Sequence, residues 1–361
     1  MACCGFIIFA IVVNVGGVPT DDRGYIGAEY WHDPGAFKNG FHGFCTVFIT
    51  AAFAFGGTEM VGLAAAEAAE SHKSLPKATR QVFFRIAFFY IISLFLLGLI
   101  LSSDNEGLLG SHGANTKASP FVLAIKEAGV KGLPSVFNAV ITISVISVAN
   151  SCAYGSTRTI QALAPVGMAP KFFAKIDKAG RPIWCVLLQL AFGCLAFVGE
   201  ANGASGQVFG WLLALTALSF LLVWMSICLS HICFRAGWKA AGYTTDQLPY
   251  KASMGVVGSW CGFIINCIAI IATFYVSLFP VGGKPDAKAF FQSYFAAPVA
   301  ITFYVSWKIK TGIQTGNWRF MVKAEDVDVT NGLREGTLEG RYHDHTRKNQ
   351  PMWRRALGTF F

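Results

Sequence analysis

A pair of adjacent glycines followed by a carboxylate interrupts one of the most apolar stretches of this chain. Gly56 and Gly57 precede Thr58 and Glu59. Each glycine costs about 1 kcal/mol of helix propensity relative to alanine, and a carboxylate at membrane depth costs about 2.5 to 3.5 kcal/mol. Broken helices are tolerated at that depth where they line a cavity or are buried in protein, and secondary transporters bind substrate at such breaks. The pattern predicts a binding break. The alternative is close helix packing at the glycines, with Glu59 hydrogen-bonded to a neighbour.

A second carboxylate follows the break. Glu67 lies eight residues after Glu59, at the end of the same apolar stretch. One interpretation is a gating or proton-coupling group. The other, which the sequence favours, is an interfacial carboxylate that pairs with Lys73 or Lys77.

A row of hydroxyl groups marks another apolar stretch. Ser144, Ser147 and Ser151 recur at spacings of three and four residues, and Asn150 lies beside the last of them. This spacing puts the hydroxyls on one face of a helix. The face is predicted either to hydrogen-bond to a neighbouring helix or to line a substrate or ion pathway.

Motifs of covalent chemistry are missing from the sequence. It contains no GxSxG, HExxH or GxxxxGK[ST] motif, and no cysteine stands beside a histidine. The run from His343 to His345 offers too few ligands for a closed metal site. We therefore expect no enzyme activity, no metal and no cofactor.

The elements that position these residues are apolar helices. With 54% hydrophobic and 14% charged residues, the chain has far fewer charges than the roughly 25% of a soluble domain. Crossing a bilayer takes about 20 apolar residues of helix. Seven stretches come close to or exceed that length, and a shorter eighth begins at the first residues of the chain, without the basic segment of a signal peptide. The predicted stretches are Gly43–Ala66, Val82–Leu101, Leu133–Ala153, Pro182–Val198, Val208–Phe234, Val256–Pro280, Phe290–Trp307 and Cys3–Gly16.

The basic residues indicate the orientation of these spans. With eight spans, 22 Lys and Arg residues fall on the side of both termini and 7 on the opposite side. The positive-inside rule then places both termini in the cytoplasm. The net charge of +9 follows from this placement, so no nucleic-acid partner is expected. We divide the chain into a transmembrane domain, residues 1–310, and a cytoplasmic tail, residues 311–361, where cytoplasmic regulators would bind.

The segments around the break resemble the fungal (yeast-type) amino acid permeases of the amino acid-polyamine-organocation superfamily. The resemblance rests first on Phe55–Glu67 and Ser74–Gln81. It extends over nearly the whole sequence, through Tyr25–Phe37, Ala149–Thr159, Ala179–Pro182 and Gly316–Trp318.

The resemblance implies an all-α, polytopic membrane protein with the inverted-repeat fold of the leucine-transporter type. Such permeases have twelve helices, and substrate is held at the broken first and sixth helices. This chain looks like helices five to twelve, lacking about the first four. On that mapping the break is that of the sixth helix, and the stretch with the hydroxyl face is the eighth.

The resemblance also implies roles for individual residues. Backbone groups of the broken segment would receive the ammonium and carboxylate of an amino acid. Phe53 or Phe55 would be an aromatic gate, and Glu59 a gating or proton-coupling carboxylate. The substrate-binding residues expected on this basis are Phe53, Ala54, Phe55, Gly56, Gly57, Thr58, Asn150 and Ser151.

The function expected from this resemblance is proton-coupled amino acid symport by alternating access in the plasma membrane. The partners would be an amino acid substrate, protons and the lipid bilayer. Because half of the substrate site is missing, we expect the 361 residues alone to be inactive. The alternative is a non-transporting amino acid sensor of permease ancestry.

Overall fold

The structure is a computed structural model, and among the residues that it describes every regular element is a helix. This agrees with the predicted all-α class. The described residues are 2–65, 71–109, 119–200, 205–248, 251–252, 254–280, 283, 285–316, 318 and 322–329.

Long helices alternate with short ones along the chain. Three-residue to five-residue turns of 3-10 or π helix lie in the connections. The α-helices are α1 (Ala2–Asn14), α2 (Gly40–Phe55), α3 (Met60–Ala65), α4 (Ser71–Ile100), α5 (Glu106–Leu109), α6 (Pro120–Glu127), α7 (Leu133–Leu163), α8 (Ile183–Gly193), α9 (Leu195–Glu200), α10 (Ser205–Ala240), α11 (Gly255–Leu278), α12 (Ala287–Tyr294) and α13 (Ala296–Thr315).

Five helical segments of the described chain are long and apolar enough to cross a bilayer. Each overlaps one of the predicted stretches, and together they indicate a polytopic membrane protein. They are Gly40–Leu63, Ser74–Ile100, Leu133–Leu163, Gly210–Ala240 and Gly255–Leu278.

The other predicted stretches form shorter apolar helices. Ala2–Asn14 and Ile183–Phe197 each fall below the length of a full span. The stretch that begins at Phe290 divides between α12 and α13. Proline is accepted in the first turn of a helix, and Pro298 stands in the first turn of α13. The number of eight spans, the inverted repeat and the domain boundary at residue 310 stay predictions.

The chain divides into two compact units. Unit 1 comprises Met1–Gly43 and Val82–Leu212, and unit 2 comprises Phe44–Gln81 and Leu213–Phe361. The predicted break belongs to unit 2, whereas the hydroxyl face of α7 belongs to unit 1.

An apolar cluster and an ion-pair cluster hold unit 1 together. Phe6 of α1 is 1% exposed and lies edge-on against Phe121 of α6, with ring centroids 4.8 Å apart. Beside this cluster, Arg23 donates hydrogen bonds to both carboxylate oxygens of Asp21, at 2.8 and 2.7 Å. Arg23 also reaches the carbonyl oxygen of Ile100, at 2.9 Å. The connection after α1 is thereby attached to the end of α4.

The charges in this cluster shift one another's pKa. The hydrogen bonds from Arg23 hold the pKa of Asp21 below its usual value, and in return they raise the pKa of Arg23. Glu127, at the end of α6, lies 3.2 Å from Arg23. Burial raises the pKa of Glu127, and the nearby guanidinium opposes that rise.

In unit 2, α10 packs against α11 and against a segment near the end of the described chain. Residues of α10 face α11 closely, since a Cβ on Gly262 would lie 3.0 Å from the sulfur of Cys228. His231 Nδ1 and Ser259 Oγ lie 2.7 Å apart in the same pairing of helices. At the far end of α10, a Cβ on Gly237 would lie 2.9 Å from Cβ of Val327, so a segment beyond α13 packs there.

Candidate functional site: a broken helix in unit 2

The apolar helix breaks at the predicted glycines. Helix α2 ends at Phe55, and α3 begins at Met60. The four residues between them form turns: the N–H of Gly56 donates to the carbonyl of Phe53 (3.1 Å), and that of Met60 donates to the carbonyl of Gly57 (3.1 Å). These bonds join residues three apart, so the backbone tightens instead of continuing as an α-helix.

The two glycines are needed for different reasons. Gly57 has a φ of +92°, a conformation that residues with a Cβ rarely adopt, yet it has open space around it. Gly56 has no positive φ, but a Cβ there would lie 2.3 Å from the Phe220 ring. Gly57 therefore allows the backbone to turn, and Gly56 allows a ring of another helix to approach closely.

The carboxylate of Glu59 closes the turn. Its Oε2 accepts a hydrogen bond from the N–H of Gly57, at 3.0 Å. The hydroxyl of Thr58 donates to the carbonyl of Phe55, at 3.1 Å, and so satisfies the end of α2. Among the described residues, Glu59 therefore bonds to its own break, whereas the alternative interpretation had expected a bond to a neighbouring helix.

Two backbone donors of the break remain available. Within the part of the chain that the structure describes, the N–H groups of Thr58 and Glu59 donate no hydrogen bond. Unpaired backbone groups at membrane depth cost several kcal/mol each. The break is therefore equipped to bind a group that accepts hydrogen bonds.

The aromatic residues next to the break differ in their surroundings. The side chain of Phe53 lies edge-on to Phe220 of α10, with ring centroids 6.4 Å apart. Phe55 is 48% exposed, and Ala54 between them is also exposed. Phe220 was not among the residues that the sequence singled out, because nothing in the spacing of a single sequence pairs it with Gly56.

The α7 residues of the predicted site lie in the other unit. Asn150 and Ser151 are exposed, and the Ser151 hydroxyl donates to the carbonyl of Ser147 in its own helix, at 3.0 Å. Ser144 does the same with Val140, at 2.8 Å. Neither hydroxyl bonds to a neighbouring helix within the described residues. Glu67, the second predicted carboxylate, lies outside the described residues.

Comparison with known proteins decides the family. A sequence model of the amino acid permease family ("Amino acid permease") matches residues 1–316, which include both the break and α7. The chain belongs to the amino acid permease family. It is therefore a multi-pass membrane protein, and not an enzyme.

Fungal permeases are among the relatives to which this family member is similar. It is 50% identical to cationic amino acid transporter 1 of Schizosaccharomyces pombe, over 92% of the chain and 56% of that relative. It is 47% identical to the general amino-acid permease GAP1 of Saccharomyces cerevisiae, over 93% of the chain and 55% of the relative. For the amino-acid permease GAP5 of Candida albicans, the identity is 43% over 99% of the chain and 57% of the relative.

The chain spans about half the length of the curated relatives that it matches. No solved structure matches it.

Proposed function

We propose that this permease-family chain supplies the sixth-helix break and the eighth-helix face of an amino acid transporter in the plasma membrane. The observation that carries the proposal is the break itself, where the N–H groups of Thr58 and Glu59 donate no hydrogen bond within the described residues. Such donors suit the carboxylate of an amino acid. The names of the relatives, as amino acid transporters and permeases, support the same class of substrate.

The transport mechanism that we propose is proton-coupled symport by alternating access. Glu59 is the carboxylate that follows the two glycines of the break. Its carboxylate accepts a hydrogen bond from the N–H of Gly57. A change in the protonation of Glu59 would therefore change the turn that contains the N–H groups of Thr58 and Glu59. In this proposal Phe53 or Phe55 forms an aromatic gate. The gating or proton-coupling role of Glu67 stays a prediction beside its pairing with Lys73 or Lys77.

The proposal also assigns a role to two residues of α7. Asn150 and Ser151 offer an amide and a hydroxyl on one exposed side of the helix. In the proposal these groups line the pathway that the substrate follows. Both termini lie in the cytoplasm, in keeping with the distribution of Lys and Arg.

We further propose that the 361 residues alone do not transport. The chain spans about half the length of its relatives, and in the inverted-repeat fold the broken sixth helix faces a broken first helix. Without that counterpart no first-helix group meets the N–H groups of Thr58 and Glu59, and no complete substrate site forms.

Uptake of labelled amino acids tests the proposed transport function and the proposed inactivity of the 361 residues alone. Cells lacking their own permeases receive either the 361-residue chain or the same chain joined behind the first four helices of GAP1 from Saccharomyces cerevisiae. We expect saturable uptake from the joined form and only background uptake from the chain alone. A joined form that binds amino acid without uptake would favour the sensor, and robust uptake by the chain alone would refute its inactivity.

A further inference from the structure

One aromatic ring of α10 occupies the space where a side chain on Gly56 would stand. An ideal Cβ on Gly56 would lie 2.3, 2.4 and 2.7 Å from Cε2, Cζ and Cδ2 of Phe220. Carbon atoms that are not bonded prefer to lie about 3.5 to 4.0 Å apart. The ring therefore rests directly on the backbone of the break, and only glycine leaves room for it.

The shape of α2 explains why the ring can reach this point. Phe48 and Ala52 lie four residues apart on one face of α2, and Gly56 follows four residues later, directly after the helix ends. Phe48 and Ala52 pack against the buried cluster that contains Leu218 of α10. Side chains on this face of α2 become smaller toward the break, and the bulky Phe220 fills the space that they leave.

The contact joins the break to an unbroken helix. Helix α10 runs without interruption from Ser205 to Ala240, and its residues Leu218 and Leu221 are buried. Between Gly56 and Glu59 the described backbone lacks the regular hydrogen bonds of an α-helix, which join residues four apart. The packing contact with α10 is thus a restraint on where the break lies.

We propose that Phe220 is a positioning residue of the substrate site. Its ring, seated on the backbone of Gly56, fixes the place of the backbone groups that follow at residues 57–59. Phe220 acts through the break and does not need to touch the substrate. This inference rests on the proposed function, in which those backbone groups bind an amino acid.

A double-mutant cycle tests the contact on the 361-residue chain in detergent. Gly56→Ala places a Cβ against the ring, and Phe220→Ala removes the ring. We expect each single variant to lower the thermal unfolding midpoint, and the double variant to lower it by clearly less than the sum, because the new Cβ no longer meets a ring. Strictly additive changes would overturn the proposal.

Hydrogen exchange separates positioning from a general loss of stability. In Phe220→Ala, amides of a peptide covering residues 53–62 should exchange about tenfold faster, whereas peptides from α11 should stay unchanged. Phe263→Leu is the matched control, since this half-buried ring of α11 also has one edge-on aromatic neighbour, Trp260. Equal acceleration in both variants, or none at the break, would refute the positioning role.

Transport kinetics provide the functional readout, in the joined form that takes up amino acid. Phe220→Ala should raise the KM about tenfold and leave the maximal rate per surface molecule within about twofold. Phe220→Tyr, which keeps the ring, should restore the parent KM. An unchanged KM in Phe220→Ala would contradict the proposal. If no form takes up amino acid, the proposed transport function fails, and the exchange experiment still decides whether Phe220 positions the break.

Discussion

The broken segment of unit 2 and the hydroxyl face of α7 carry similar polar groups, but these groups have different partners. At the break, the Thr58 hydroxyl donates to the carbonyl of Phe55, which lies at the end of a helix. On α7, the Ser151 hydroxyl donates to the carbonyl of Ser147 inside an uninterrupted helix. The first bond satisfies a group that the ended helix leaves open. The second adds to a carbonyl that the helix backbone already uses.

This difference separates stability from binding. Groups of the break hold the turn together, so changing them should disturb the fold as well as any ligand. A hydroxyl on α7 can exchange its own helix carbonyl for a ligand at little cost, because the helix does not need that bond. We therefore expect variants of the break to affect stability and transport, and variants of the α7 face to affect transport alone.

The largest effect on stability should come from the ion-pair cluster that holds the unit of α7. Asp21→Asn removes the charge that pairs with Arg23 through two hydrogen bonds. Hydrogen bonds to charged groups are worth about 1.5 to 3 kcal/mol, so the thermal unfolding midpoint of the solubilised chain should fall clearly at neutral pH. If the polar face of α7 held this unit together instead, Asp21→Asn would leave the thermal unfolding midpoint nearly unchanged.

The same cluster should make stability depend on pH. Because the pKa of Asp21 is lower in the folded chain, its contribution is present above the usual pKa of about 4 and is lost as the pH falls through the folded value. The parent should lose stability in this acidic range, and Asp21→Asn should lose less. Parallel pH profiles for the two proteins would contradict this account.

The next largest effect is expected at the left-handed glycine of the break. Gly57→Ala forces a Cβ into a φ of +92°, at a cost of about 1 to 2 kcal/mol. Gly62→Ala is the matched control, since Gly62 lies in α3 with open space around it and no positive φ. In the thermal unfolding assay the control should be neutral or stabilising. Equal losses in both variants would show that the turn is not what Gly57 provides.

Much of the architecture follows from local sequence patterns. Apolar stretches of about 20 residues predicted the five segments that are long enough to cross a bilayer, because length and hydropathy are local properties. The adjacent Gly56 and Gly57 also predicted the break, since glycine and a carboxylate weaken a membrane helix wherever they occur. Both predictions needed only neighbouring residues.

Contacts between distant residues could not be predicted in this way. The role of Gly56 depends on Phe220, which belongs to a helix far along the chain. The sequence also left two interpretations for the hydroxyls of α7, a bond to a neighbouring helix or the lining of a pathway. In the structure Ser144 and Ser151 bond within their own helix, and the lining of a pathway stays a prediction. Serine can reach the carbonyl four residues earlier in any helix, so spacing alone does not distinguish these cases.

A smaller effect on stability, with a large one on transport, is expected at Glu59. In Glu59→Gln the side-chain carbonyl can still accept a hydrogen bond from the N–H of Gly57. The free energy of unfolding should therefore change by less than about 1 kcal/mol. The joined form should keep amino acid binding but lose proton-driven accumulation, since glutamine cannot take up the proton. Glu59→Ala, which removes the acceptor, should also be less stable.

The outcome that would contradict this role is specific. If Glu59→Gln accumulates substrate against a gradient as well as the parent does, the carboxylate serves only to close the turn. Measurements of binding and of accumulation on the same membranes keep these two possibilities apart.

The smallest effect on stability should come from the exposed hydroxyl of α7. Ser151→Ala removes a bond to a carbonyl that already accepts within the helix, so stability should change by no more than about 0.5 kcal/mol. Thr142→Ala is the matched control, because its hydroxyl makes the same kind of bond, to the carbonyl of Asn138 at 2.9 Å, and it is not a predicted site residue. In the joined form, Ser151→Ala should raise the KM for uptake, while Thr142→Ala should not. A loss of stability in Ser151→Ala as large as that in Gly57→Ala would mean that both regions are held by their polar groups, and the distinction between them would fail.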